Sequence, residues 1–343
     1  MKPFDYQTGD INQVSGMVAK EGSMALAGGT TMLDLMKLNV LQPDRLVSIK
    51  PSLQSNIDMV DNAVYIGAGC TMSQVAADET VRESLPMLEQ SLLLAASPQI
   101  RNMATIGGNL LQRTRCPYFR DTAYEACNKR NPGSGCAAAD EQADNAMLAV
   151  LGTSDSCIAH YPGDMAVAMV ALGATLTIGD AASEARQLPV RELHKLPGDT
   201  PQIEITLKPE ELILSVSVPM SPKANNSVYY KVRERSSYAF ALASVAAGFE
   251  MDGETIKDAC LALGGVGTVP WHPAEAEQML IGERATDELF AKVADKAMEG
   301  AKGSGHNDYK IPLAKRAIVR ALKMLRDGEA PRGEDLWHLQ HGR

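Results

Sequence analysis

The chain has 343 residues, 45% apolar and 22% charged, which is room for two or three domains with their own cores and the composition of an ordinary globular protein. Its formal net charge of −9 argues against a nucleic-acid partner and against an anionic membrane surface, and no apolar run is long enough to span a membrane. Aromatics make up only 5% while methionine and alanine are plentiful, which suggests helix-rich cores of small, adaptable side chains.

In chain order, the first third reads as α/β. Met24–Ala27 is a short apolar strand running into Gly28-Gly29-Thr30-Thr31, followed by a helix over Met32–Leu38 and a strand at Arg45–Ile49. A turn at Asp61-Asn62 precedes a strand at Ala63–Gly69, and Thr71 is placed to cap the helix beginning at Met72. A longer helix spans Met87–Ala96 and is broken by Ser97-Pro98, after which come Thr105–Leu110 and a polar, turn-rich stretch. Strands follow at Ala174–Gly179 and Leu212–Pro219, and Ser221–Asn226 reads as a linker. The final third reads as a separate α+β unit. Strand-like runs at Ser227–Val232, Leu242–Met251 and Ile256–Gly264 fit antiparallel pairing, with amphipathic helices at Ala274–Leu280, Thr286–Met298 and Leu313–Arg326.

Four of the six cysteines, Cys116, Cys127, Cys136 and Cys157, gather in the polar stretch, with ten, eight and twenty residues between them. A turn-rich loop of this kind buries little apolar surface, so a metal centre is the expected ordering element; soft thiolates select zinc, copper(I) or iron–sulfur clusters. Zinc sites use closely spaced knuckles that are absent here, whereas a cubane cluster accepts ligands arriving separately. Spacing therefore favours four thiolates on a cluster. The plainer reading is a set of ordinary thiols. A disulfide framework is disfavoured because Met1–Asp5 does not resemble a secretory signal. Cys70 and Cys260 lie in apolar, strand-like contexts and read as core thiols.

Two glycine pairs stand where backbone can approach a ligand closely. Gly28-Gly29 sits at a strand-to-helix junction, whose free N–H groups suit an anion, and Gly107-Gly108-Asn109 offers a second loop. Neither matches a Rossmann or P-loop fingerprint, and either alone reads as a tight turn. A pyrophosphate bridging the two would account for both.

With these segments the sequence resembles the FAD-binding subunits of the molybdenum hydroxylases, the family of xanthine dehydrogenase, aldehyde oxidoreductase and carbon monoxide dehydrogenase. The resemblance runs from Ala27–Thr31 and Thr105–Leu110 through Tyr161–Ala166, Glu211–Ser215 and Tyr229–Arg233 to Ala262–Val266. Residues 112–158, including Arg113–Tyr118 and Cys136–Ala138, resemble the insertion of the bacterial, periplasmic-type aldehyde oxidoreductase branch, whose flavin subunit also carries a [4Fe–4S] cluster. The implied fold is α+β: an FAD-binding domain at 1–222, made of a small parallel α/β subdomain (about 1–55) and a mixed or antiparallel sheet subdomain (about 56–222). A C-terminal three-stranded antiparallel sheet with a helical bundle follows at 223–330, and then a tail at 331–343.

The same resemblance implies residue roles. Leu26, Ala27, Gly28, Gly29, Thr30, Thr31 and Met32 would cradle the FAD pyrophosphate, with Thr105, Gly107, Gly108 and Asn109 opposite. Asp164 would accept hydrogen bonds from ribityl or ribose hydroxyls, or simply cap the helix after it; Ile213 would lie against the isoalloxazine, and Lys231 near its pyrimidine edge. Cys116, Cys127, Cys136 and Cys157 would hold the cluster. The expected function is electron transfer: a partner large subunit with the molybdenum cofactor oxidises an aldehyde, and a small [2Fe–2S] subunit passes electrons to FAD here and on to an external acceptor. Rival readings are a stand-alone flavoprotein oxidoreductase and a zinc-stabilised binding module. Arg113, Arg115, Lys129 and Arg130 make the cysteine stretch basic, suiting either an acidic docking partner or the charge of a cluster. The expected compartment is the cytoplasm, or the periplasm by co-export with a signal-bearing partner.

Overall fold

The computed structural model describes residues 1–179 and 185–332, so nearly all of the expected tail at 331–343 lies outside the described residues. Strands β1 (Asp5–Thr8), β2 (Ser23–Leu26) and β3 (Arg45–Ser48) form a parallel sheet in the order β1-β3-β2. Parallel neighbours need crossovers, supplied by the helices Ile11–Val18 and Met32–Lys37. β1 and the first of these helices were not anticipated, because β1 is short and largely exposed and carries no apolar alternation.

The second sheet is antiparallel. β4 (Ile57–Val60), β5 (Ala63–Gly67), β6 (Thr175–Gly179), β7 (Arg186–Pro189) and β8 (Leu212–Pro219) take the order β4-β5-β8-β6-β7. Asp61 and Asn62 link β4 to β5 with φ of 49° and 60°, the geometry of a two-residue hairpin turn. Helices Pro86–Leu93 and Met165–Ala171 are buried almost throughout and present little exposed face, because each packs between this part of the chain and the C-terminal sheet; the polar Glu89, Gln90 and Ser91 of the first are buried with it.

That sheet pairs β9 (Ser227–Val232), β10 (Ala243–Asp252) and β11 (Thr255–Gly264) antiparallel in the order β11-β10-β9. Its near-continuous apolar runs follow from burial on both faces. Ala246, Cys260 and Ala262 join the central core, whereas Val245, Ala247, Leu261 and Leu263 pack with Phe290, Val293, Ile318 and Leu322 of helices Asp287–Ala297 and Lys310–Arg326. The expected linker is instead a short helix, Pro222–Asn225: Ser221 Oγ accepts from Ala224 N–H, and Ala224 is buried. The cysteine stretch also departs from expectation. It has a small core of its own, in which Leu35, Phe119, Leu148 and Ile158 pack around the thiols.

Candidate functional site

A cavity of about 1070 Å³ opens where the parallel sheet meets the antiparallel one. Ala27, Gly28, Gly29, Thr30, Thr31 and Met32 line one wall; Thr105, Gly107, Gly108 and Asn109 line another; Asp164 and Ile213 also face in. Leu26 and Lys231 are not among the lining residues. Leu26 ends β2, where its carbonyl accepts from Ile49 N–H at 3.0 Å.

The two glycine turns differ. Among the described residues, the N–H groups of Gly28, Gly29, Thr30 and Thr31 donate to no protein acceptor, so they are available to an anion. Gly28 must be glycine, since a Cβ there would stand 2.1 Å from the Met103 carbonyl oxygen; Gly29 takes φ 75°. Across the cavity, Gly107 N–H already donates to Ala68 O at 3.1 Å and Gly108 N–H to Thr105 Oγ1 at 3.2 Å. This segment is the first turn of the helix Ile106–Leu110, capped by Thr105. A Cβ on Gly107 would meet Ala68 Cβ at 3.0 Å, so this glycine serves close packing.

Asp164 is fixed from behind. Tyr229 Oη donates to Oδ1 at 2.7 Å, and Lys231 Nζ donates to Oδ2 at 2.8 Å and to Leu94 O at 3.0 Å. Tyr229 Oη also lies 2.9 Å from Ser244 Oγ, and burial pushes its phenol well up, so it stays a neutral donor. Asp164 stands at the N-cap of Met165–Ala171, but its side chain makes no cap hydrogen bond. Sequence reasoning overlooked Tyr229, whose signal is its alternation with Lys231 on β9.

The four cysteines are all free, and together they line a second, much smaller cavity. Cys127 and Cys136 form an antiparallel bridge; Cys116, Cys127 and Cys157 are buried and Cys136 is partly exposed. Burial pushes the Cys116 thiol up to about 12 and raises that of Cys157, against which the charge of Lys129 acts. Among the described residues, no group of three or more His, Cys, Asp or Glu side chains is drawn together to hold a metal ion. The basic residues turn inward. Arg113 pairs with Glu204 at 2.6 Å, Arg115 and Arg120 with Asp34 at 2.9 Å, and Lys129 with Pro201 O at 2.9 Å and Glu204 at 3.4 Å. Arg130 donates to the Tyr118 and Phe119 carbonyls at 2.9 and 2.7 Å. Each of these basic residues of the stretch thus has a partner within the protein. Burial raises the Asp34 carboxyl, but Arg120 and Arg115 outweigh it and hold the group below its ordinary value. Asp34 and Arg115 also line the large cavity and so join the two sites.

His160 lies three residues beyond Cys157, fully buried, with neither ring nitrogen bonded to a protein group among the described residues. Burial, with Lys310 and Arg115 nearby, pushes it down to about 3. Cys70 and Cys260 are buried core thiols.

Residues 5–221 match the family described as the FAD binding domain in molybdopterin dehydrogenase, and residues 228–325 match the CO dehydrogenase flavoprotein C-terminal domain. The aldehyde oxidoreductase FAD-binding subunit PaoB of Escherichia coli is 41% identical over 327 residues, covering 94% of this chain and 98% of that one. The glyceraldehyde dehydrogenase medium chain of Sulfolobus acidocaldarius is 27% identical, covering 88% and 90% respectively. A solved carbon monoxide dehydrogenase from Hydrogenophaga pseudoflava superposes with a TM-score of 0.73 at 22% identity, covering 96% of this chain and 100% of that one, a likeness of fold.

Proposed function

The chain belongs to the FAD-binding subunits of the molybdenum hydroxylase family, oxidoreductases of the aldehyde oxidoreductase and carbon monoxide dehydrogenase type, and from that premise we propose that it is the FAD- and [4Fe–4S]-carrying electron-transfer subunit of a molybdenum-dependent aldehyde oxidoreductase. Its partners in this reading are a large subunit with the molybdenum cofactor and a small [2Fe–2S] subunit, and it delivers electrons to an external acceptor. The compartment we propose is the cytoplasm, with the periplasm, by co-export with a signal-bearing partner subunit, as the alternative.

The observation that carries the reading is the row of unbonded N–H groups on Gly28–Thr31, in the same large cavity as the Asp164 carboxylate. That arrangement fits FAD: the N–H row suits its pyrophosphate, and a carboxylate suits its hydroxyls. Bound there, FAD supplies the conversion between one-electron and two-electron transfer. The chain's own residues set the conditions. Gly28 lets the two walls approach, Tyr229 and Lys231 hold the Asp164 oxygens in one orientation, and Ile213 offers an apolar surface that excludes water.

For the cluster, the support is the donor set. Four thiols line one small cavity, with Tyr118, Phe119 and alanines between them and Lys129 at the wall, and a cubane accepts ligands arriving separately around it. Cys116, Cys127, Cys136 and Cys157 would hold it, and it would supply one-electron transfer. The inward-turned basic residues then offset the charge of thiolates and cluster.

The test is an ultraviolet–visible spectrum of anaerobically purified protein with iron, sulfide and flavin analysis. About one FAD and four irons per chain, as this cluster type requires, supports the proposal. Flavin without iron, even after reconstitution, removes the cluster, and zinc without flavin removes the whole reading. Aldehyde oxidation by the isolated chain would point instead to a stand-alone flavoprotein.

A further inference from the structure

The segment between helices Asp287–Ala297 and Lys310–Arg326, with the first residue of the latter, grips the chain between the third and fourth clustered cysteines. Lys302 N–H donates to Val150 O at 2.8 Å, and Ser304 O accepts from Asn145 Nδ2 at 2.7 Å. Asn307 Nδ2 donates to Ala149 O at 3.0 Å, Tyr309 Oη to Ala146 O at 3.2 Å, and Lys310 Nζ to Met147 O at 2.8 Å. Ala149 passes the grip onward, because its own N–H donates to Ile158 O at 2.9 Å, next to Cys157.

Two of these side chains are costly to place. Asn307 and Lys310 are both 0% exposed. Lys310 Nζ donates to the carbonyls of Met147 and Gly265, the latter at 2.7 Å, and no carboxylate among the described residues pairs with it. Burial pushes this amine down to about 7, and a buried lysine without a counter-charge is a poor contributor to stability; what its Nζ does is tie the β11 end to the returning cysteine segment. Met147 also lines the large cavity.

We propose that Asn307 and Lys310 are positioning residues of the cluster site, holding residues 145–150 so that Cys157 meets the other three cysteines. The proposal rests on the [4Fe–4S] reading above. It makes the C-terminal helical unit part of that site, although none of the four cysteines comes from it.

The experiment uses the full chain, wild type and Asn307→Ala, with Lys310→Met as a second variant and Val293→Ala as a control for general destabilisation of the same unit. Iron and sulfide per FAD are measured after anaerobic purification. Alkylation of Cys157 in the chelator-stripped protein is followed by peptide mapping, with Cys70 as internal reference. The expected result for Asn307→Ala is Cys157 alkylation roughly tenfold faster with Cys70 unchanged, and iron below half the wild-type content with FAD retained. Val293→Ala should lower the melting temperature at least as much and keep its iron. Wild-type alkylation and iron in both Asn307→Ala and Lys310→Met overturn the proposal, as does equal iron loss in Val293→Ala. A wild-type chain that takes up no iron overturns the cluster reading itself, and the proposal with it.

Discussion

Lys231 and Asp164 form an ion pair at 2.8 Å in which the two side chains are only 1% and 5% exposed, and the carboxylate alone lines the cavity. The lysine therefore acts on whatever occupies the cavity through the aspartate rather than by direct contact.

Replacing one member strands the other charge in a buried site, which costs about 3–5 kcal/mol, whereas removing both costs less than the sum. Lys231→Met and Asp164→Asn should each lower stability and FAD retention, and the double variant should recover part of the loss. Denaturant unfolding, with flavin absorbance of the desalted proteins, checks this. Additive losses would dissolve the pairing.

Gly28→Ala forces a methyl against the Met103 carbonyl, 2.1 Å from where its Cβ must sit, and pushes apart two walls of the cavity. Overpacking of this kind costs about 1–3 kcal/mol. Flavin affinity measured by fluorescence quenching should fall at least as steeply as stability. Gly173→Ala, at a positive φ but in open space, should leave flavin binding untouched.

His160 and His194 titrate from about 6.5 in the unfolded chain to about 3 and about 4 when folded; burial is the main cause at both, with the Leu110 carbonyl opposing it at His194. The unfolded chain thus binds more protons below pH 6.5, so stability is full above that pH and falls as pH drops towards 4. Each group contributes a slope of about 1.4 kcal/mol per pH unit in this window. His160→Leu should flatten the decline of unfolding free energy between pH 6.5 and 4, and an unchanged slope would show that the ring is not buried neutral.

Thr71 completes a reciprocal cap: its hydroxyl accepts from Gln74 N–H at 3.2 Å while Gln74 Oε1 accepts from Thr71 N–H at 2.8 Å. Thr71→Ala should cost about 1 kcal/mol, and Thr71→Ser should restore most of it, as thermal unfolding would show.

Local chemistry was legible where one residue type has one use. Thr71 before Met72 announced a cap, and β9–β11 announced themselves as apolar runs. β1 and β4 escaped because short strands with exposed side chains need no alternation, and β7 because four residues with one buried side chain, Leu188, are too few to show it. The glycine pairs looked alike in the sequence, yet Gly28 borders a row of free N–H groups while Gly107 makes room for Ala68. A missing side chain does not say what fills its place. Nor can one dimension show that Arg115 will find Asp34, 81 residues earlier, or that the loop's basic residues will face inward.

The grip of Asn307 on Ala149 spans 158 residues of chain. On a ribosome adding about 5–20 residues per second, the segment carrying Ala149 emerges roughly 8–30 s before the one that clasps it. All four thiols are thus made, and exposed to oxidants and stray metals, well before their setting is complete. Completion of this region is governed by time as well as by shape: a nascent chain stalled short of Asn307 has all four thiols and the apolar side chains packed around them, but not the clasp that closes over residues 145–150.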